Sequence, residues 1–279
     1  MKSLIITKLA FLAFMAFPSW AFSQINHEQD IFKGLPEHLA VQVKQLDQFI
    51  ARFNSNENPI GVRIDSKKVS EEDRANTIAS LFDMDLLEKE AFRKKALKFI
   101  REVTGSGIGN LSFYDKEYYA TIDCQILYKN KREDLTLTMA LEGDRENGIK
   151  WVIVGANADF LQVETSKPSN DIIPPTNHEV DFVHLLEIFN VRKDLSNYVS
   201  ERHGKNQLEV LNHMLKHEEI KMLNTTTPRY HFLQIPGWVF TVDFFNRSAK
   251  NSGWLISDLY EAKRSELLQY KIEKLSIIP

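Results

Sequence analysis

Two stretches of the chain share one pattern of alternating apolar residues around a polar turn. In each stretch an alternating run, 135–141 in the first and 238–244 in the second, leads through the turn to a tryptophan that opens another apolar run. The two tryptophans, Trp151 and Trp254, are 254 − 151 = 103 positions apart. Alternation with a period of two is typical of a strand with one buried face. Each stretch therefore predicts a long β-hairpin, and the shared offset predicts a structural repeat, with chance similarity of two hairpins as the alternative.

Amphipathic helical patterns precede both hairpins. In the first half, the apolar residues of 35–54 recur at steps of four and three, which predicts one helical stripe. A second helical pattern covers 74–103, with a break expected near Asp83. The second half shows matching patterns at 179–190 and 206–220. This order of elements predicts an α+β fold in which helices pack on one face of a curved antiparallel sheet. We expect each tryptophan ring to pack against the helices of its own half.

A single change in composition divides the chain. The segment 165–178 contains three prolines and several small polar residues, without a long periodic pattern. Consecutive prolines favour an extended connector. The sequence therefore predicts two tandem α+β domains, the first at 24–164 and a second, smaller one at 179–279, joined by a Pro-rich linker.

The first 23 residues have the layout of a secretory signal peptide. Lys2 and Lys8 form a positive start, an apolar stretch follows, and the small residues Ala21 and Ser23 precede a predicted cleavage site before Gln24. The uncharged stretch is shorter than the about 20 residues that a membrane span needs, and no later segment approaches that length. We therefore expect an exported protein, periplasmic or extracellular, without a membrane span in its mature form.

The order of these elements resembles the nuclear transport factor 2-like superfamily, whose fold is an α+β cone. The likeness lies in an opening amphipathic helix that ends at Phe53–Asn54, further helices, and then long twisted hairpins. It covers about residues 35–163 and, more loosely, 179–275, where the helical section is shorter. The resemblance implies two tandem cone-like domains of a kind found among exported bacterial proteins of uncharacterised function.

The second hairpin contains the candidate ligand-binding residues. Strict alternation would place Trp254, Asp258 and Tyr260 on one strand face. If Trp254 faces the interior of a cone, Asp258 and Tyr260 line its mouth, where an acid among apolar groups can have a raised pKa. Folds of the resembling kind include enzymes that use a pocket Asp and Tyr for proton transfer. The alternative is that both residues lie near the strand end in water.

Other patterns that can carry chemistry have a structural explanation. His213 and His217 lie four apart, as zinc ligands often do, but the apolar face of their predicted helix points the other way. The glycines of 105–110 follow a helix and precede a strand, so they predict a helix end and a turn rather than a phosphate-binding loop. Cys124 alternates with apolar neighbours and is predicted to be a buried thiol. We expect no metal site, no cofactor and no catalytic residue.

The charge of the chain excludes one class of partner, and the leading functional hypothesis is a binding protein. The formal charge of the chain is −3, and removal of the two lysines of 1–23 leaves −3 − 2 = −5, which argues against a nucleic-acid partner. We expect an exported, non-enzymatic protein that binds a small ligand or an envelope protein in the bacterial periplasm. The alternatives are an isomerase- or hydrolase-type enzyme with its pocket in the second domain, and a structural envelope protein.

Overall fold

A sheet that is joined across both predicted halves organises the fold. The computed structural model describes residues 32, 42–105, 109–144, 148–161, 184–200, 205–248 and 250–277, all of which belong to one compact unit. The predicted signal peptide (1–23) and the predicted linker (165–178) lie outside the described residues. The described residues form eight strands: β1 (Gln42–Val43), β2 (Tyr118–Tyr128), β3 (Lys131–Asp144), β4 (Gly148–Asn157), β5 (Ile220–Thr225), β6 (Arg229–Phe232), β7 (Trp238–Phe245) and β8 (Ser252–Glu261).

Seven α-helices accompany these strands in the described part of the chain. They are α1 (Leu46–Phe53), α2 (Glu71–Ala79), α3 (Met84–Leu87), α4 (Glu90–Gly105), α5 (Leu185–Glu187), α6 (Lys205–Lys216) and α7 (Arg264–Leu275). The helical pattern of 74–103 is interrupted at the expected place, because Asp83 caps the start of α3 by accepting a hydrogen bond from the Asp85 backbone at 3.1 Å. A π-helical turn (Ile188–Arg192) continues α5.

The strand order is β1-β8-β7-β6-β2-β3-β4, and β5 also pairs with β2. The β1–β8 pair is parallel, whereas the other strand pairs are antiparallel. This open, curved and mostly antiparallel sheet confirms the predicted α+β class. Two separate tandem domains are not confirmed, because β2 from the first predicted domain pairs directly with β5 and β6 from the second.

The two predicted hairpins have the same register. Trp151 lies opposite Leu141 in the β3–β4 hairpin, and Trp254 lies opposite Phe244 in the β7–β8 hairpin. A β-bulge follows at the same place in both, between Thr138 and Met139 in one and at the positions 103 residues later in the other. The sequence offset therefore corresponds to a structural equivalence of the hairpins.

The helices are exchanged between the halves. The buried side chains of α1, α2 and α4 form a core with β6, β7, β8 and the start of β2. Those of α5 and α6 form a second core with β2, β3 and β4, to which β5 contributes. The expectation that each half packs its helices on its own strands is therefore wrong. The ring of Trp254 borders the core that contains α1–α4, and that of Trp151 borders both cores.

The opening helix is shorter than the periodicity predicts. It begins at Leu46, and Val43 lies instead in β1, which runs beside Gly253. Gly253 has a φ of +89°, and a Cβ atom there would lie 1.9 Å from the Val43 carbonyl oxygen. The strand pairing therefore depends on a glycine about 200 residues away, which helical periodicity does not register.

The last helix, α7, covers part of the opposite sheet face. Val152 and Val154 point away from the helix-covered side and pack with Leu275 and Ile277. Gly155 allows this approach, because a Cβ atom there would lie 2.7 Å from a backbone oxygen after α7. The part of this face that α7 leaves open carries polar side chains.

Candidate functional site

A polar groove with a volume of 510 Å³ crosses the sheet face that α7 only partly covers. Strands of both halves form its floor, and α7 supplies one wall. Every lining side chain contains an oxygen or a nitrogen atom. The lining residues are Thr121, Asp123, Thr136, Thr226, Thr227, Arg229, His231, Thr241, Asp243, Ser257, Asp258, Tyr260, Tyr270 and Lys274.

Strand alternation creates the polar floor. Thr241 and Asp243 face the groove because Phe240 and Val242, their neighbours along β7, point into the helix-covered core. The same alternation on β2 places Thr121 in the groove. The sequence analysis does not identify these residues, because alternation with a period of two predicts one buried face and assigns no role to the other. The available signal was the recurrence of Thr and Asp on strands of both halves.

A bulge in β8 corrects the prediction that Trp254, Asp258 and Tyr260 share one face. The register shifts at Ser257, so the alternation reverses there, and Leu259 points into the core beside the helices. Asp258 and Tyr260 consequently line the groove, whereas Trp254 lies on the helix-covered side. The structure thus brings together two of the three candidates and places the third elsewhere.

Asp258 and Tyr260 form a hydrogen-bonded pair. The Tyr260 hydroxyl donates to Asp258 Oδ2, and Asp258 Oδ1 accepts from the Leu259 backbone at 2.8 Å. Burial, with the hydrogen bond and the charge of Asp258, raises the pKa of Tyr260 to about 12. Tyr260 therefore keeps its proton at neutral pH. The residue is 36% exposed and lines the groove.

His231 is a buried, neutral member of the lining. Its Nδ1 lies 2.8 Å from the Tyr270 hydroxyl and its Nε2 lies 2.9 Å from Thr121 Oγ1. Burial, assisted by the charge of Arg229, lowers the pKa of His231 to about 3. Both ring nitrogens have partners, so His231 positions Tyr270 rather than offering a free base.

The charges of the lining nearly balance. Arg229 Nε donates to Asp243 Oδ1 at 2.8 Å, and this hydrogen bond raises the pKa of Arg229. The lining contains three aspartates against Arg229 and Lys274, which gives −3 + 2 = −1 with His231 neutral. The groove therefore lacks the excess positive charge that anion recognition requires.

Comparison with protein-family models, with curated proteins and with solved structures finds no match to the chain. Within the described ranges, no helix combines the length and apolar character needed to cross a membrane.

The two tryptophans lie at a cluster of aromatic rings on the other sheet face. The ring centroid of Tyr230 lies 4.9 Å from that of Trp254 and 6.3 Å from that of Trp151. Tyr118 lies 5.4 Å from Trp151, and its buried position raises its pKa well above the usual value. Trp254 therefore packs in this aromatic cluster and does not line the groove.

The remaining patterns stay outside the groove. His213 on α6 and His217, which directly follows α6, are exposed with their ring centroids 4.3 Å apart. The described residues contain no group of three or more metal-ligating side chains. Cys124 is buried, as predicted, and burial raises its pKa to about 12, so the thiol is not a nucleophile at neutral pH. Gly105 ends α4, while 106–108 lie outside the described residues.

Proposed function

We propose that the protein is exported and binds a small polar ligand in the groove, without catalysing a reaction. One observation carries the proposal: all fourteen side chains that line the 510 Å³ concavity contain a hydrogen-bonding atom. Pockets for small molecules have volumes of about 300–1,000 Å³. An apolar ligand would remove these groups from water without replacing their hydrogen bonds, which costs free energy. A polar ligand replaces them.

The interior between helices and sheet supports this placement, because it is filled by the protein's own side chains. Phe240 stacks on Phe232 at 5.0 Å and on Phe53 at 5.7 Å between ring centroids, and all three rings are fully buried. Such packing would suit a structural envelope protein as well. The groove on the opposite face favours binding, since a purely structural role gives no reason for an open polar concavity.

An isomerase- or hydrolase-type enzyme is the second candidate. The Asp258–Tyr260 and His231–Tyr270 hydrogen bonds favour it, because catalysis requires titratable groups within hydrogen-bond reach. Against it, both nitrogens of His231 are engaged, and the pKa of Tyr260 is about 12, so neither accepts a proton readily at neutral pH. We therefore favour binding over catalysis.

The two halves are, in this proposal, tandem copies of one α+β unit of the nuclear transport factor 2-like kind. The shared register and bulge of the hairpins support a duplication. In each hairpin the isoleucine two residues after the tryptophan bridges to a segment of the other half: Ile153 pairs with Val199 and Ile256 with Phe82. The copies would thus have exchanged their helices across the joined sheet. A high-resolution structure in which the hairpins fail to superpose would remove the duplication.

A thermal-shift screen of small polar compounds against the mature protein tests the binding proposal. We expect stabilising compounds whose effect is lost in Asp258→Asn and kept in Tyr114→Phe, because Tyr114 is exposed and does not line the groove. Compounds that act equally on both variants would place the site elsewhere. Export is tested separately by the intact mass of secreted material, which should correspond to a chain that begins at Gln24.

A further inference from the structure

We infer that the ligand of the groove is an uncharged saccharide, with its hydroxyls on Asp258 and its ring against Tyr260. This inference rests on the proposed binding function and names its ligand class. Three features of the groove carry it: the kind of hydrogen-bonding groups, the charge balance, and the position of an exposed aromatic ring beside a carboxylate.

Hydroxyl groups dominate the lining. Five threonines and Ser257 contribute six aliphatic hydroxyls, each of which has one donor and two acceptor positions. Thr136 already donates to Asp123, and Thr241 and Ser257 share a hydrogen bond, so the hydroxyls offer a ligand their remaining donor and acceptor positions. Such groups match a ligand whose own polar atoms both donate and accept. The hydroxyls of a sugar have this property, whereas a phosphate or carboxylate only accepts and an ammonium group only donates.

The carboxylate of Asp258 has unused accepting capacity. An ionised carboxylate offers about four acceptor positions. The Leu259 backbone and the Tyr260 hydroxyl occupy one on each oxygen. The remaining positions suit two neighbouring hydroxyl donors, and a charge-assisted hydrogen bond of this kind is stronger than one between neutral groups.

The charge balance disfavours ionic ligands. The net charge of −1 repels an anion, and Lys274 on α7 repels a cation that approaches that wall of the groove. Because Arg229 is already paired with Asp243, it does not offer an unneutralised charge to a phosphate or a carboxylate. An uncharged ligand is not subject to either electrostatic repulsion.

Tyr260 and Tyr270 supply the apolar contact that a sugar ring requires. Their ring centroids lie 5.9 Å apart at an interplanar angle of 58°, and Tyr260 remains 36% exposed. The face of an aromatic ring carries partial negative charge, so it attracts the weakly positive C–H groups of a pyranose face. Tyr260 therefore offers a ring face to the sugar, and its hydroxyl orients the carboxylate of Asp258.

Saturation-transfer and chemical-shift NMR on the full mature chain tests this assignment with three probes: cellobiose, glucuronate and spermidine. We expect cellobiose to bind with its ring C–H signals saturated, and the other two to bind more weakly. Asp258→Asn and Tyr260→Ala should each weaken cellobiose binding by about tenfold or more, whereas Tyr260→Phe should retain affinity within about threefold. Tyr114→Ala, at an exposed tyrosine outside the groove, is the matched control.

The possible outcomes distinguish the saccharide assignment from the broader binding function. If glucuronate or spermidine binds in the groove and cellobiose does not, the saccharide class is wrong while the binding function stands. If cellobiose produces no effect at millimolar concentration, the assignment is overturned as well, and the compound screen alone decides the binding function. Equal loss in Tyr260→Phe and Tyr260→Ala would show that the hydroxyl, rather than the ring face, holds the ligand.

Discussion

Replacement of Phe240 by alanine should destabilise the core in which helices of the first half pack on strands of the second. Phe240 lies on β7 of the second half and is fully buried, with ring centroids 5.7 Å from Phe53 and 5.6 Å from Phe99, both on helices of the first half. Loss of a buried phenylalanine costs about 3–5 kcal/mol through lost transfer free energy and the residual cavity. We expect the upper part of that range, because the aromatic contacts add to the burial term.

Urea unfolding followed by far-UV circular dichroism and by tryptophan fluorescence measures this loss. The two signals should coincide in a single transition whose midpoint falls while its slope stays unchanged, since helices of one half pack on strands of the other. Phe244→Ala is the control on the same strand face, and it should cost much less because Phe244 is 43% exposed. A loss below about 1 kcal/mol would refute the packing of α1 and α4 on β7, and with it the exchange of helices.

Three further substitutions have defined outcomes. Gly253→Ala should destabilise the protein in urea unfolding by at least about 1 kcal/mol more than the control Gly237→Ala. Both glycines have a positive φ, but only at Gly253 would the added Cβ atom lie 1.9 Å from a backbone oxygen. Arg247→Ala should lower the free energy of unfolding by about 2 kcal/mol, because it removes the guanidinium that lies 2.5 Å from the buried carboxylate of Asp83. The control Arg192→Ala breaks an exposed ion pair and should change the free energy of unfolding by no more than about 0.5 kcal/mol. The pKa of His231 is lowered to about 3 in the folded protein, so protonation of His231 favours the unfolded chain. The contribution of neutral His231 to the free energy of unfolding is complete above the unfolded pKa of about 6.5. It is lost as the pH falls toward 3, by at most about 1.4 kcal/mol per pH unit. His231→Gln should therefore flatten the pH dependence of the unfolding free energy between those values, and an unchanged slope would contradict the buried neutral imidazole.

The hairpins, the break before α3 and the burial of Cys124 could be predicted because each depends on neighbours within a few positions. Alternation specifies which face of β7 points into the core beside the helices. The capping carboxylate of Asp83 interrupts the helical pattern locally. The candidate site was predicted only in part. Asp258 and Tyr260 do lie together in a concave region, but the bulge at Ser257 moves them to the face opposite Trp254. A single inserted residue leaves the sequence pattern nearly unchanged and reverses every later side chain.

The sequence by itself determined the α+β class and the equivalence of the two hairpins at an offset of 103 residues. Only the tertiary structure decided which helices cover which hairpin. The two hairpins have similar apolar faces. Local periodicity therefore does not indicate which of the two hairpins packs against α1–α4. The groove depends on the same long-range choice: the pairing of β2 with β6 places Thr121 of one half beside His231 of the other, and neither half contains the site alone.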